Sequence, residues 1–289
     1  MSDRRRLRSN GHVAHSSLEG QVQADRFTEG EECRVVEVVA DLCAEPAGAR
    51  DRQLLRGEVF TALDVCDGHV FGYAAKDGYV GWLKVTALVN HPAEPPTHRV
   101  SAPRSYSKST PGLKEMGRVT PLPLGAQLIV LEDVDGWAKI GWSRGTIPSD
   151  VFVPAGHLVS LDIREGDPVA VAEKLLGTPY LWGGNSAFGI DCSGLIQTGC
   201  LACGIACPGD SDQQQAELGS DLSQDVPLQR GDLLFWKGHV AWLVDPDTIL
   251  HANAFHMAVA YEPLQDAISR IEAQGDGPVT ARKRLGGQP

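Results

Sequence analysis

Three short apolar runs, residues 232–236, 239–244 and 248–251, follow one another with only two or three residues between them. Gaps that short join antiparallel neighbours, since a parallel crossover takes a dozen residues or more. The stretch is therefore predicted to be a three-stranded meander. Helical signals lie on both sides of it in the sequence. Asp167 is a good N-cap and Pro168 suits a first helical position. Ala170, Val171, Leu175 and Leu176 give that helix an apolar side, and Gly177 ends it. A second helix is predicted to open at Asp191, with Leu195, Ile196, Cys200 and Cys203 as its buried stripe and Gly204 as its stop. A last one runs from about Pro263, with Leu264, Ile268 and Ile271 on one face, and stops before Gly275. Helices segregated from a meander give an α+β fold for this part of the chain.

Upstream the pattern changes to short alternating runs punctuated by Asp-Gly turns, as in 59–63 and 128–131, which fit strands of small β-barrels. Gly57 and Gly125 are 68 residues apart, as are Asp67-Gly68 and Asp135-Gly136, and Ala87-Leu88-Val89 recurs as His157-Leu158-Val159. The shared offset indicates a duplicated unit. A proline-rich segment, His91-Pro92-Ala93-Glu94-Pro95-Pro96-Thr97, reads as a stiff linker between the copies. Before about Arg34 no periodicity stands out, so the chain is expected to begin with an arm. The predicted organisation is an arm over 1–33, barrels over 34–90 and 99–162 with a linker over 91–98, and the α+β domain over 163–289.

The 289 residues carry a formal net charge of −11, which argues against nucleic acid as a partner because phosphate contacts need a basic surface. That balance would instead steer cationic or zwitterionic ligands. Met1-Ser2-Asp3-Arg4-Arg5-Arg6-Leu7-Arg8 has the charge of a signal-peptide start, but Ser9-Asn10-Gly11-His12 stands where an apolar core would follow. Neither a secretory signal nor a membrane span is expected. Seven cysteines, an odd number, fit free thiols in a reducing cytoplasm better than a disulfide framework. Cys200, Cys203 and Cys207 lie close in sequence, yet without a second Cys pair or a His at ligand spacing they read as small buried residues. No metal and no cofactor is expected.

Cys192 stands apart from the other six. It opens the second predicted helix, after the loop Gly177-Thr178-Pro179-Tyr180-Leu181-Trp182-Gly183-Gly184. A thiol there feels the positive end of the helix dipole, which favours the thiolate. Nucleophilic catalysis then needs a base and a group to orient it, and the meander supplies both. His239 starts one strand and His251, 12 residues on, ends the next, so a tight turn sets them on neighbouring strands. His239 is assigned as the base and His251 as the residue that holds its tautomer, with Asn253 and His256 as rivals for the orienting role. Gly238 is expected to leave room for substrate or thiolate beside His239. Tyr180 is a candidate oxyanion donor alongside the Cys192 N–H, and Trp182 a candidate substrate contact.

Over about residues 167–285 these motifs resemble the NlpC-type (NlpC and P60 superfamily) cell-wall peptidases, papain-like cysteine peptidases of bacteria. The shared residues are Tyr180-x-Trp182-Gly-Gly, Asp191-Cys192-Ser193-Gly194, Arg230-Gly231-Asp232-Leu233 leading to His239, and His251-Ala252. The upstream repeats are similar to bacterial Src-homology-3-like domains. The resemblance implies an α+β papain-like domain, helices packed on an antiparallel sheet, preceded by two small β-barrels. It also implies a Cys192-His239-His251 triad that cleaves γ-D-glutamyl–diamino acid bonds of murein peptides. In relatives that recycle such peptides, an Asp-Ser pair and the Ser after the nucleophile bind the substrate's free α-amine; Asp210, Ser211 and Ser193 match that pattern. In those relatives a Glu and a Tyr of the first barrel wall off the cleft, and Glu58 and Tyr79 are the candidates here. The expected substrate is a free murein peptide with N-terminal L-Ala, hydrolysed in the cytoplasm. Competing expectations are an amidase or acyltransferase on the same fold, and a non-catalytic wall-peptide-binding module.

Overall fold

The computed structural model describes residues 3–90, 94–114, 117–141 and 151–286, and the chain divides into two compact units, Met1–Ile163 and Arg164–Pro289. The first unit holds two seven-stranded sheets with the same strand order. In the first sheet Arg50–Leu55, Val39–Cys43, Val80–Lys84, His69–Ala74, Val59–Cys66, Glu31–Val35 and Leu88–Asn90 lie side by side in that order. Their equivalents in the second are Val119–Pro123, Arg104–Lys108, Val151–Pro154, Trp137–Gly141, Gln127–Val134, His98–Val100 and Leu158–Ser160.

The duplication extends to local conformation. Asp67 and Gly68 have φ of 47° and 74°, and Asp135 and Gly136 have 52° and 82°, the left-handed pair that a tight type I′ hairpin requires. A bulge precedes each turn at the same offset, between Ala62 and Asp64 and between Val130 and Glu132. Leu42, Leu54, Phe60 and Leu83 fill the first core, and Val100, Leu122, Ile140 and Val153 the second.

The first residues do not form an arm. Val13–His15 pairs in parallel with Arg26–Thr28, Val13 packs with Leu63, Phe71 and Val80, and the Arg8 guanidinium lies 4.0 Å from the centre of the Tyr73 ring. Strands of three residues are too short for a period to show in the sequence. Glu31–Val35 already belongs to the first sheet, and His98–Val100 joins the second from within the expected linker. Linker residues 91–93 lie outside the described residues.

The second unit contains α1 (Pro168–Glu173), β1 (Asn185–Ser186), β2 (Gly189–Ile190), α2 (Cys192–Ala202), α3 (Ser211–Glu217), β3 (Ser220–Asp221), β4 (Asp232–Trp236), β5 (His239–Asp245), β6 (Thr248–Asn253), β7 (Ala258–Pro263), α4 (Leu264–Ala273) and β8 (Ala281–Arg284). Its main sheet runs β3-β8-β4-β5-β6-β7 and is antiparallel throughout. The predicted meander is β4-β5-β6. Leu234, Trp236, Ala241, Leu243 and Ile249 pack with Leu264, Ala267 and Ile271 of α4, and the residues alternating with them, Leu233, Phe235, Val240, Trp242 and Leu250, are buried as well. Each large apolar side chain buried in this way contributes roughly 1.5–3 kcal/mol. Strands covered on both faces open last, so they are a firm base for the residues they carry.

The first two helices follow their predicted caps, and only α1 departs in part from its predicted face. Asp167 accepts a bond from the Val169 N–H and Pro168 takes the first turn of α1; Val171 and Leu175 face inward as predicted, joined by Val169 and Ala172, while Ala170 and Leu176 are exposed. Residues 169–172 are all apolar, so two stripes satisfy the helical period and only packing chooses between them. On α2, Leu195, Ile196 and Cys200 are fully buried, as is Cys203 at its C-cap, before Gly204 turns the chain with φ of 76°. α3 arises where the sequence suggests only a polar turn; its buried residues are Gln213 and Gln214, so it has no apolar stripe to reveal it.

Candidate active site

Cys192 is the first residue of α2 and is 7% exposed. Asp191 caps the helix: one carboxylate oxygen accepts from the Gly194 N–H (2.6 Å) and the Ser193 hydroxyl (2.9 Å), the other from the Gly183 N–H (3.0 Å). A single buried carboxylate therefore ties the aromatic-glycine loop to the first turn of the nucleophile helix. Contact there is close enough to exclude side chains. A Cβ on Gly194 would stand 2.5 Å from the Gly184 carbonyl oxygen, and one on Gly184 2.5 Å from that of Gly189. These glycines serve the chain's packing on itself, rather than the approach of substrate. Asp191→Ala is expected to lose the cap and orphan two N–H groups, a destabilisation of about 1–3 kcal/mol, visible as a lower melting temperature in calorimetry.

α2 packs against β5 and β6, the strands that carry the two histidines. His239 Nε2 lies 2.9 Å from His251 Nδ1, and His251 Nε2 lies 2.9 Å from a Glu262 carboxylate oxygen. Asn253 is occupied elsewhere, accepting the His256 N–H at 2.8 Å and contacting its ring nitrogen at 3.1 Å. Of the three candidates, His251 is the one placed to orient His239. Burial, then the neighbouring His251 and Arg270, lower the pKa of His239; burial also lowers that of His251, against the pull of Glu262. Both imidazoles are thus held neutral in the folded protein. An unfolded chain takes up protons on histidine near pH 6.5, so stability is fully present above that pH and is lost as the pH falls below it. Equilibrium unfolding measured between about pH 7 and pH 5 should show this loss, with a shallower slope in His239→Gln.

Tyr180 is held by its N–H to the Met257 carbonyl (2.9 Å). Burial, then the charges of Cys192 and Asp191, push its phenol up to about 12, so it keeps its proton and remains a donor beside the nucleophile. Trp182 is exposed on the same loop. Gly238 has open space beside it, where an added Cβ would meet no atom of the described residues within 4 Å apart from its chain neighbours. It also sits in the two-residue turn between Trp236 and His239 with φ of 74°, a left-handed conformation that favours glycine.

Ser193 directs its hydroxyl to Asp191, while Asp210 is the N-cap residue of α3 and Ser211 its first residue. The link between them is Gln214, fully buried, whose amide donates to the carbonyls of Ser193 and Pro208 (both 2.9 Å). Gln197 adds a bond to the Cys207 carbonyl (3.0 Å). Two buried glutamines thus fasten the 207–211 turn to the nucleophile helix. In the first unit, Glu58 pairs with Lys76 Nζ (2.8 Å) and accepts the Leu55 N–H (3.0 Å). Tyr79 is part of that unit's hydrophobic core, 4% exposed, rather than a surface residue.

Glu262 and Arg270 carry no signal in the sequence that marks them as part of the site. Arg270 grips both oxygens of Glu262 with a two-pronged contact (2.8 and 2.7 Å). His251, His256 and Glu262 also bring ligand atoms within 4.8 Å of one another. The guanidinium already occupies both carboxylate oxygens and sets a fixed positive charge there, so the cluster is a hydrogen-bonded chain rather than a cation site.

Residues 177–273 match the NlpC/P60 family, and residues 42–88 match the bacterial dipeptidyl-peptidase SH3 domain. The chain is 32% identical to a γ-D-glutamyl-L-lysine dipeptidyl-peptidase of Bacillus subtilis, over 68% of this chain and 67% of that protein. A protein of the same name from Bacillus cereus is 35% identical over 42% of this chain and 43% of its own length. Among solved structures, an NlpC/P60 family protein from Bacillus cereus shares the fold, with a TM-score of 0.74 over 88% of this chain and 99% of that one at 20% identity. Among the described residues no helix is long and apolar enough to cross a membrane. With the relative matched across both units and the nucleophile and histidines in their motifs, the chain belongs to the NlpC/P60 family of cysteine peptidases.

Proposed function

We propose that the protein is a cysteine endopeptidase that hydrolyses the γ-D-glutamyl–diamino acid bond of free murein peptides beginning with L-Ala. The observation that carries this reading is the 2.9 Å contact between His239 and His251 on the strands beneath the Cys192 helix, in a chain akin to a γ-D-glutamyl-L-lysine dipeptidyl-peptidase. Cys192 passes its proton to His239 and attacks the γ-carbonyl carbon. The oxyanion rests on the Cys192 N–H and the Tyr180 hydroxyl. The imidazolium of His239 then protonates the leaving amine of the diamino acid, and water, activated by the same imidazole, hydrolyses the thioester.

The free amine of L-Ala is met by Asp210 and Ser211, with Ser193 offering its hydroxyl oxygen as an acceptor because its proton is directed to Asp191. A carboxylate suits this task, since a desolvated ammonium needs a charged acceptor. The place of work we assign is the cytoplasm, in recycling of cell-wall peptides; an odd count of seven cysteines suits thiols kept reduced there. Trp182, exposed on the aromatic-glycine loop, is retained as a proposed substrate contact.

Mass-spectrometric cleavage of L-Ala-γ-D-Glu peptides extended by diaminopimelate or L-Lys tests the reading. Free-amine peptides should be cut between D-Glu and the diamino acid. N-acetylation, or Asp210→Asn, should lower kcat/KM by roughly 10- to 100-fold, the worth of a hydrogen bond to a charged group. Equal rates on free and acetylated peptides would exclude the amine site, and no cleavage of either would exclude the substrate class.

A further inference from the structure

His251 is directly opposite Ala260 on β7, and Glu262, two residues further on the same face, is its diagonal neighbour. The methyl group of Ala260 leaves space for the longer side chain to reach across. Arg270 comes from α4, which covers this face, and its guanidinium lies 4.5 Å from the centre of the Phe255 ring while also donating to Gln274 (3.0 Å). Both ends of the arrangement are thus anchored.

We propose that Glu262, held by Arg270, is a positioning residue of the catalytic apparatus: it fixes the tautomers of His251 and His239 so that His239 presents an unprotonated Nδ1 to Cys192. The inference rests on Cys192 and His239 being the nucleophile and base. An ionised carboxylate only accepts, so His251 Nε2 must carry the proton in their 2.9 Å bond. His251 Nδ1 is then bare and accepts, which requires His239 Nε2 to be the donor in the second 2.9 Å bond. One carboxylate therefore determines the state of four ring nitrogens. Its negative charge also stabilises the imidazolium that forms when Cys192 gives up its proton.

Arg270 is what keeps that carboxylate ionised. Burial alone would push the Glu262 carboxyl up, but the bonds from Arg270 and His251 outweigh it and hold the group down at about 2. The charged or titratable groups acting on the two imidazoles are Glu262 of β7, Arg270 of α4 and His256 of the turn after β6. Of these only Glu262 carries a negative charge. Replaced by Gln, it retains its shape but loses the charge, and its amide can donate to His251 Nε2 and invert the chain of tautomers.

Nitrogen-15 NMR of the histidine rings in Cys192→Ala at about pH 8 tests the assignment without any substrate. Both Nε2 atoms of His239 and His251 should be protonated and both Nδ1 atoms bare; the opposite tautomer at either ring overturns the proposal. A second test is the pH dependence of Cys192 alkylation by iodoacetamide, followed by mass spectrometry on the Cys192 peptide because the exposed Cys66 reacts as well. In Glu262→Gln the rate at neutral pH should fall by roughly 10-fold or more and its midpoint move to higher pH. With a cleavable peptide, kcat should fall by roughly 10²- to 10⁴-fold at nearly constant KM, as for a base held in the wrong tautomer. Alkylation of Glu262→Gln within twofold of the parent at every pH would overturn the proposal. A wrong choice of peptide would silence only the kcat arm, so the two failures are distinguishable.

Discussion

Cys192→Ala is expected to reduce peptide hydrolysis to background, a loss of roughly 10⁴- to 10⁶-fold in kcat. The covalent intermediate forms on the thiol at the start of α2, and the phenol of Tyr180 cannot replace it because it keeps its proton at any working pH. The substitution removes one sulfur atom and leaves the Asp191 cap, with its bonds to Gly183 and Gly194, in place. The variant should therefore melt within a few degrees of the parent and still bind the substrate peptide in calorimetry. Retained turnover in a preparation shown by mass spectrometry to contain alanine would end the assignment of the nucleophile.

Removing the base is the second large effect. His239→Ala should cost roughly 10³- to 10⁵-fold in kcat/KM, because the thiol must then ionise without a partner and the leaving amine departs without a proton. The double variant with Cys192→Ala should be no worse than Cys192→Ala alone, since the two residues act as one unit. His239 begins β5 beside an open turn and is only partly buried, so its loss removes a ring contact with Trp236 (centroids 5.6 Å apart) but leaves the core side chains of Trp242 and Leu243 in place. Alkylation of Cys192 near neutral pH should slow in parallel. Full reactivity of the thiol without His239 would show that another group accepts its proton.

Much of the local architecture is legible in the amino-acid order. Asp167 and Asp191 announce their helices, Asp-Gly pairs announce the hairpins, and the 68-residue offset announces a duplication that extends to the bulges. These features depend on the backbone preferences of single residues or pairs, which act over a few positions whatever surrounds them. The early strands and α3 are hidden for the complementary reason: three residues hold no period, and a helix buried through glutamines has no apolar stripe. The left-handed φ of Gly238 is hidden too, because a turn glycine and a clearance glycine look identical in the sequence.

For the site, the sequence supplied Cys192, His239 and His251, since a cysteine at a helix start and histidines at adjacent strand ends are properties of order along the chain. Glu262 and Arg270 are not distinguished there, being ordinary charged residues just before and within the last predicted helix. Their meaning comes from strand register, which sets Glu262 diagonally across from His251, and from α4 folding back over that face to bring Arg270 onto it. The sequence thus determined which chemistry this protein carries, through residue types and their spacing. Tertiary packing alone decided how the proton-bearing nitrogens are arranged, because a carboxylate can dictate a distant tautomer only where burial excludes the water that would otherwise satisfy each ring separately.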